Sequence, residues 1–161
     1  DEAVAARVIN EVPRAAGRYI FSHALIRETL YSELTTTRRV RLHRQVGEVL
    51  ETLYGPHPEA HLAELAYHFF EAAQGGDVDK AIDYAVRAGE RAAGLMAHEE
   101  AARQYELALQ ALDLRQASDE GLRCDLLLTL SEALWRAGEY DRAKEMSLRL
   151  LDLLVASARQ G

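Results

Sequence analysis

Apolar residues recur at intervals of three and four along most of this chain, the spacing that places them on one face of an α-helix. Ala101, Tyr105, Ala108 and Leu112 form one such stripe, and Leu126, Leu127, Leu130, Leu134 and Trp135 form the next. The pattern predicts helices near 2–12, 23–34, 37–54, 58–74, 77–96, 98–115, 119–137 and 139–158. Between Arg18 and Ser22 polar and apolar residues alternate instead, which predicts a short strand and the only one expected. The breaks carry turn chemistry: PRAAGR at 13–18, YGPHP at 54–58 and GGDVD at 75–79, with Thr37, Asp77 and Ser118 as expected N-caps. A helix apolar along one stripe needs a neighbour, and helices joined by two to four residues must pack antiparallel. The expected result is a stack of helical hairpins.

Composition narrows this picture. The 161 residues are 48% hydrophobic and 28% charged, enough to bury a core, and no run of about 18 apolar residues suits a membrane span. The start, DEAVAARVINEV, is acidic and amphipathic, unlike a secretory signal. A lone cysteine, Cys124, cannot form an internal disulfide and falls on an apolar helical stripe, where it is expected as a small core residue. The net charge of −7 is uneven: residues 1–50 hold 8 Arg against 6 Asp and Glu, while residues 51–161 hold 11 basic against 20 acidic residues. That acidic majority opposes general nucleic-acid binding.

LSEALWRAGEYDRAKE (130–145) has a small residue, Ser131, with Leu134 three positions on, then Gly138, Tyr140 and the small Ala143. Glycine permits the chain reversal, and alanine lets two helices approach closely. This stretch resembles the tetratricopeptide repeat (TPR), in which the small residue of the first helix marks the crossing by the second. The arrangement returns upstream with Gly89 at the crossing and Ala101, Tyr105 and Ala108 as the packing row of the second helix, and the turn returns around Gly76 with Ala81. Ala101 and Ala143 lie 42 residues apart, against about 34 in the usual repeat, which implies longer helices. Ala81 and Ala101 lie 20 apart, so the helix between them is expected to serve two hairpins. Ser147 stands where the family usually has an aromatic residue.

RYIFSHALIRETLYSELTTTRRVRLHRQVGEVLE (18–51) contains Phe21, His23, Leu25, Ile26, Arg27 and Tyr31, followed by Arg38, Arg39, Leu42 and His43. It resembles the segment after the ATPase core in STAND-class signalling NTPases and LuxR-type ATP-dependent regulators. The resemblance implies that residues 1–56 end a winged-helix-like or helical linker module and that 57–161 are TPR-like repeats. It further implies a cytoplasmic bacterial parent, and a role for His23 in touching the phosphates of ATP or ADP held by an ATPase domain. Imidazole suits that task because it donates to phosphate and gains charge beside an anion. The other reading of His23 is a helix cap packed on Phe21. The chain has no G-x-x-x-x-G-K-[ST] loop, so no cofactor is expected on this chain alone.

Two further constellations carry candidate chemistry. Arg38, Arg39, Arg41 and Arg44 gather positive charge within two turns, for phosphates or for an intradomain face. His61, Glu64 and His68 are metal-ligand types on one helical face, but the i, i+7 pair spans about 10 Å of axis. A packing role beside Tyr67, Phe69 and Phe70 is therefore preferred, and no metal is expected. Nucleophile–base signatures such as G-x-S-x-G and H-E-x-x-H are absent from the sequence, so no enzyme is expected. The expected fold is all-α: antiparallel hairpins stacked as a TPR-like right-handed superhelix, with at most one short N-terminal strand or hairpin. The expected function is a non-catalytic, protein-binding regulatory scaffold whose partner is its own upstream ATPase domain or another protein. Two alternatives stay open: a small-molecule effector in the groove, or self-association through Leu150, Leu151, Leu153 and Leu154.

Overall fold

The computed structural model describes residues 2–13, 18–76, 78–117 and 119–159. The chain divides into two compact units, residues 1–39 and 40–161, so the boundary expected near 56 falls inside the second.

In the first unit, α1 (Glu2–Ala5) is followed by β1 (Ile9–Glu11), β2 (Tyr19–Phe21) and α2 (Ala24–Ser32). The strands pair antiparallel, with Ile9 opposite Phe21 and Glu11 opposite Tyr19. The helix expected over 2–12 therefore stops after one turn. Arg7 adopts a left-handed backbone conformation (φ 55°), and the β-branched Val8 and Ile9 that follow suit an extended chain once β2 supplies a ladder. Ser22 fastens the corner by donating its hydroxyl to the carbonyls of Arg7 and Val8.

α3 (Thr36–Tyr54) starts in the last residues of the first unit and runs into the second. Its first turn is capped by Thr35, whose Oγ1 accepts from the Arg38 amide at 3.4 Å, rather than by the expected Thr37, which lies inside the helix. The second unit continues through α4 (Leu62–Ala72), α5 (Val78–Gly94), α6 (His98–Asp113), α7 (Glu120–Arg136) and α8 (Tyr140–Ala158). Short 3-10 turns, Glu59–His61 and Ala73–Gly75, flank α4 and take up both ends of the helix expected over 58–74. The expected caps Asp77 and Ser118 lie outside the described residues; α7 is capped by Asp119, whose carboxylate accepts from the Leu122 amide at 3.0 Å.

Along α4 to α8 each helix packs on the next, and α5 packs on both α4 and α6, so α5 does serve two hairpins. α4 also touches α6, but among the described residues neither α4 with α7 nor α5 with α8 forms an extended contact. A closed four-helix bundle requires such contacts; these helices form an open sequential stack. One apolar cluster runs through it from Leu65 to Ala143 and is rich in alanine, with Ala66, Ala81, Ala85, Ala101 and Ala108 all fully buried. Small side chains at those crossings bring helix axes together, which is why stripes of alanine rather than leucine mark the interfaces. Cys124 is half-buried at the margin rather than in the core, and Trp135, expected on the buried stripe of α7, is exposed.

Candidate functional site

Three crossings set the geometry. At Gly89 an added Cβ would stand 2.6 Å from the Tyr105 ring, and at Gly47 it would stand 3.0 Å from Phe69. Each glycine thus admits an aromatic ring of the facing helix. At the third crossing Ser131 Oγ lies 3.1 Å from the Ala143 carbonyl and 2.7 Å from Ser147 Oγ, so a hydroxyl pair replaces the glycine–aromatic contact. Gly47, Gly89 and Ser131 are separated by 42 residues each, a spacing that makes α3, α5 and α7 equivalent helices. The same step relates Met96 (φ 61°) to Gly138 (φ 83°), and both turns close with the same bonds: Ala97 and Glu139 amides to the Ala92 and Leu134 carbonyls, each 2.9 Å.

Between α5 and α7 lies a groove. Ala93 of α5, His98 and Tyr105 of α6, and Thr129, Glu132, Ala133 and Arg136 of α7 enclose about 240 Å³. A neighbouring recess of about 350 Å³ shares His98 and Arg136 and adds Glu99, Glu100 and Arg103 at the mouth of the α5–α6 turn. The walls carry both signs of charge: Arg136 holds Glu132 at 2.7 Å, and Arg103 holds Glu100 at 2.6 Å. Burial pushes Tyr105 above the usual phenol range, with Glu90 and Glu132 acting the same way. For Glu100 burial pulls upward, yet hydrogen bonds from Gln104 and Arg103 prevail and hold its carboxyl below the usual range. His98 Nδ1 is buried without a hydrogen-bond partner among the described residues. Such a lining presents donors, acceptors and apolar methyls to a bound segment.

A second polar cluster joins α3 to α5. Glu51 accepts from Lys80 at 2.6 Å and from the Tyr84 hydroxyl at 2.7 Å, and burial together with that hydrogen bond pushes Tyr84 up to about 12.

Residues singled out in the sequence are placed as follows. Ala101, Tyr105, Ala108 and Ala143 are buried packing positions, while Tyr140 is exposed and meets Trp135 edge-on at 4.8 Å between centroids. His23 occupies the N-cap of α2, as one of its two readings expected; its carbonyl accepts from the Ile26 and Arg27 amides, while its exposed imidazole makes no capping bond. Arg39 lies over the Tyr31 ring at 5.5 Å, and Arg44 donates to the Gly75 carbonyl, which ties α3 to the end of α4. The histidine row splits. His61 stacks on Tyr54 at 3.7 Å and faces Glu64, whereas His68 turns to His43, with Nδ1 atoms 3.1 Å apart. The contacts of His43, Gly47 and His98 have no local signal in the sequence, except that Gly47 lies one 42-residue step before Gly89.

The His43–His68 contact needs one ring to accept a proton from the other, and a second proton would remove the acceptor. Burial and the neighbouring His43 hold His68 below the usual histidine range, against the opposite pull of Glu64 and Glu71. A base whose folded value is depressed contributes stability above the unfolded value near 6.5, and loses it as pH falls through the folded value. Thermal melting is therefore expected to weaken as pH drops from about 7 to 5, and His68→Gln to flatten that slope. Parallel losses in both proteins would assign the effect elsewhere.

Among the described residues no three His, Cys, Asp or Glu side chains converge as a metal site, and no helix is long and apolar enough to cross a membrane. Comparison with family models, curated proteins and solved structures found no significant match.

Proposed function

We propose that the second unit is a non-catalytic protein-interaction scaffold of TPR type, whose successive grooves receive a segment of another protein or of another domain of a longer chain. The observation that supports it is the open stack, in which α5 and α7, helices related by the 42-residue step, leave a polar-walled groove between them over α6. In this reading α3, α5 and α7 line the inner face of a right-handed superhelix, and His98, Glu132 and Arg136 are the contacts. By its resemblance the parent is a cytoplasmic, nucleotide-switched regulator of the STAND or LuxR type. His23, exposed at the start of α2, would then meet the nucleotide phosphates of an ATPase domain.

The test is selection of displayed 16-residue peptides on the purified chain, followed by titration. Recovered peptides are expected to bind the native groove, and the charge-reversed pair Glu132→Arg with Arg136→Glu to weaken them tenfold or more, about 1.4 kcal/mol. Equal binding to both proteins would reject the groove as the recognition surface.

A further inference from the structure

Tyr105 is only 5% exposed, yet its hydroxyl forms no hydrogen bond among the described residues. One edge of its ring lies against Gly89, and the side chain forms part of the groove wall between α5 and α7. A phenol so enclosed ordinarily finds a partner, because an unmet polar group inside a protein costs stability. Beside it, His98 Nδ1 is buried and unpartnered among the described residues, and His98 lines the same cavity of about 240 Å³. Two side chains with unused hydrogen-bonding capacity therefore border one cavity.

The charge around that cavity has a sign. Glu132 stands in its wall, and Glu90 follows the crossing residue Gly89. Burial first, then Glu90 and Glu132, push the Tyr105 phenol up, so both carboxylates bear on it. Glu90 forms no ion pair among the described residues. Arg136 gives both its bonds with Glu132 to one oxygen, Oε1, from Nε at 3.1 Å and from Nη2 at 2.7 Å, which leaves Oε2 able to accept. At the adjoining recess Arg103 is committed to Glu100, with Glu99 also acting on it. Glu90, Glu99, Glu100 and Glu132 thus outnumber Arg103 and Arg136, and both arginines are already bound. An anion arriving here would have to break those pairs, whereas a cation meets carboxylate oxygens with capacity to spare.

Resting on the scaffold reading and adding to it the chemistry of the bound segment, we propose that the groove between α5 and α7 takes an arginine side chain of a basic segment. Its guanidinium bridges Glu90 and Glu132 Oε2, with the Tyr105 oxygen as a further acceptor. Shape favours guanidinium over ammonium: five N–H donors in one plane serve several acceptors at once, whereas an ammonium is a compact charge with three. The aliphatic stem of the arginine lies along the methyls of Ala93 and Ala133, which line the same cavity.

The probe is a short synthetic glycine–serine peptide carrying one arginine, titrated into the whole chain by NMR beside its citrulline twin, which keeps the shape and loses the charge. The arginine peptide is expected to shift the Tyr105 and His98 signals and to bind at least tenfold more tightly than the citrulline peptide, about 1.4 kcal/mol. Glu90→Gln with Glu132→Gln is expected to erase that preference, and Tyr105→Phe, which keeps the ring against Gly89, to weaken binding severalfold. Glu28→Gln with Glu145→Gln removes the same charge from exposed positions elsewhere and is expected to leave binding unchanged. Equal binding of the two peptides, or an equal loss in both double variants, would overturn the arginine site, the latter as the general attraction of an acidic chain. The peptides recovered by display separate this site from the scaffold reading. Peptides that occupy the groove without an arginine keep the scaffold and overturn the site, whereas the arginine peptide binding as expected with no displayed peptide recovered upholds the site and rejects the scaffold.

Discussion

Phe69→Ala is expected to cost about 3–5 kcal/mol, the largest loss for any single side chain in the second unit. Phe69 is fully buried, and its ring fills the space that Gly47 leaves on α3. On its other side it stacks on Tyr84 of α5, 5.5 Å between centroids and 11° from parallel, with the Lys80 ammonium 4.7 Å from its centroid. One ring thus joins three helices. Removing it takes away apolar burial and leaves a cavity bounded by helix backbone, which cannot collapse without moving α3. Stability in a linear stack is set largely by nearest-neighbour interfaces, so the loss should concentrate at the α3–α4–α5 end. Urea unfolding followed by circular dichroism measures the total. Hydrogen exchange should show α4 opening ahead of α7, and equal loosening of both would contradict this local account.

Gly89→Ala should have a sign that depends on its neighbour. In an isolated helix alanine is better than glycine by about 1 kcal/mol. Here the new Cβ would stand 2.6 Å from a Tyr105 ring that is itself buried, and overpacking of this kind costs about 1–3 kcal/mol. The clash should prevail, giving a net loss of about 1 kcal/mol, with Gly89→Val losing about 3. In a chain already carrying Tyr105→Ala the obstacle is gone, and Gly89→Ala should become stabilising. A double-mutant cycle with a coupling of about 1–2 kcal/mol is the expected measurement. If Gly89→Ala costs the same in both backgrounds, the contact does not explain the glycine.

How much was legible follows from where each signal resides. Helices α4 to α8 were readable because period, cap and breaker are local: Leu126, Leu127, Leu130 and Leu134 announce a buried face wherever that helix sits. The left-handed residue of the turn at Gly138 is legible because that conformation favours glycine, whereas at the equivalent turn the break between 96 and 98 is legible but the left-handed Met96 is not, since methionine rarely adopts that conformation. The first helix was over-extended because Ile9 to Glu11 has a helical pattern but a strand partner ten residues away. The groove was legible only in part. Tyr105 follows from the packing stripe, while His98 and Arg136 give no local sign of converging, since they come from α6 and α7, separate helices that meet only in the packed stack.

The sequence by itself determined the helical class, the hairpin connectivity and the small residues at the crossings, because these depend on interactions within a few turns of chain. Only the tertiary structure decided that the helices form an open stack rather than a closed bundle, that His68 faces His43 instead of His61, and which apolar stripes stay uncovered. A stripe of leucines looks the same whether or not another helix lies over it. Leu112 and Leu154 are alike in sequence and opposite in exposure.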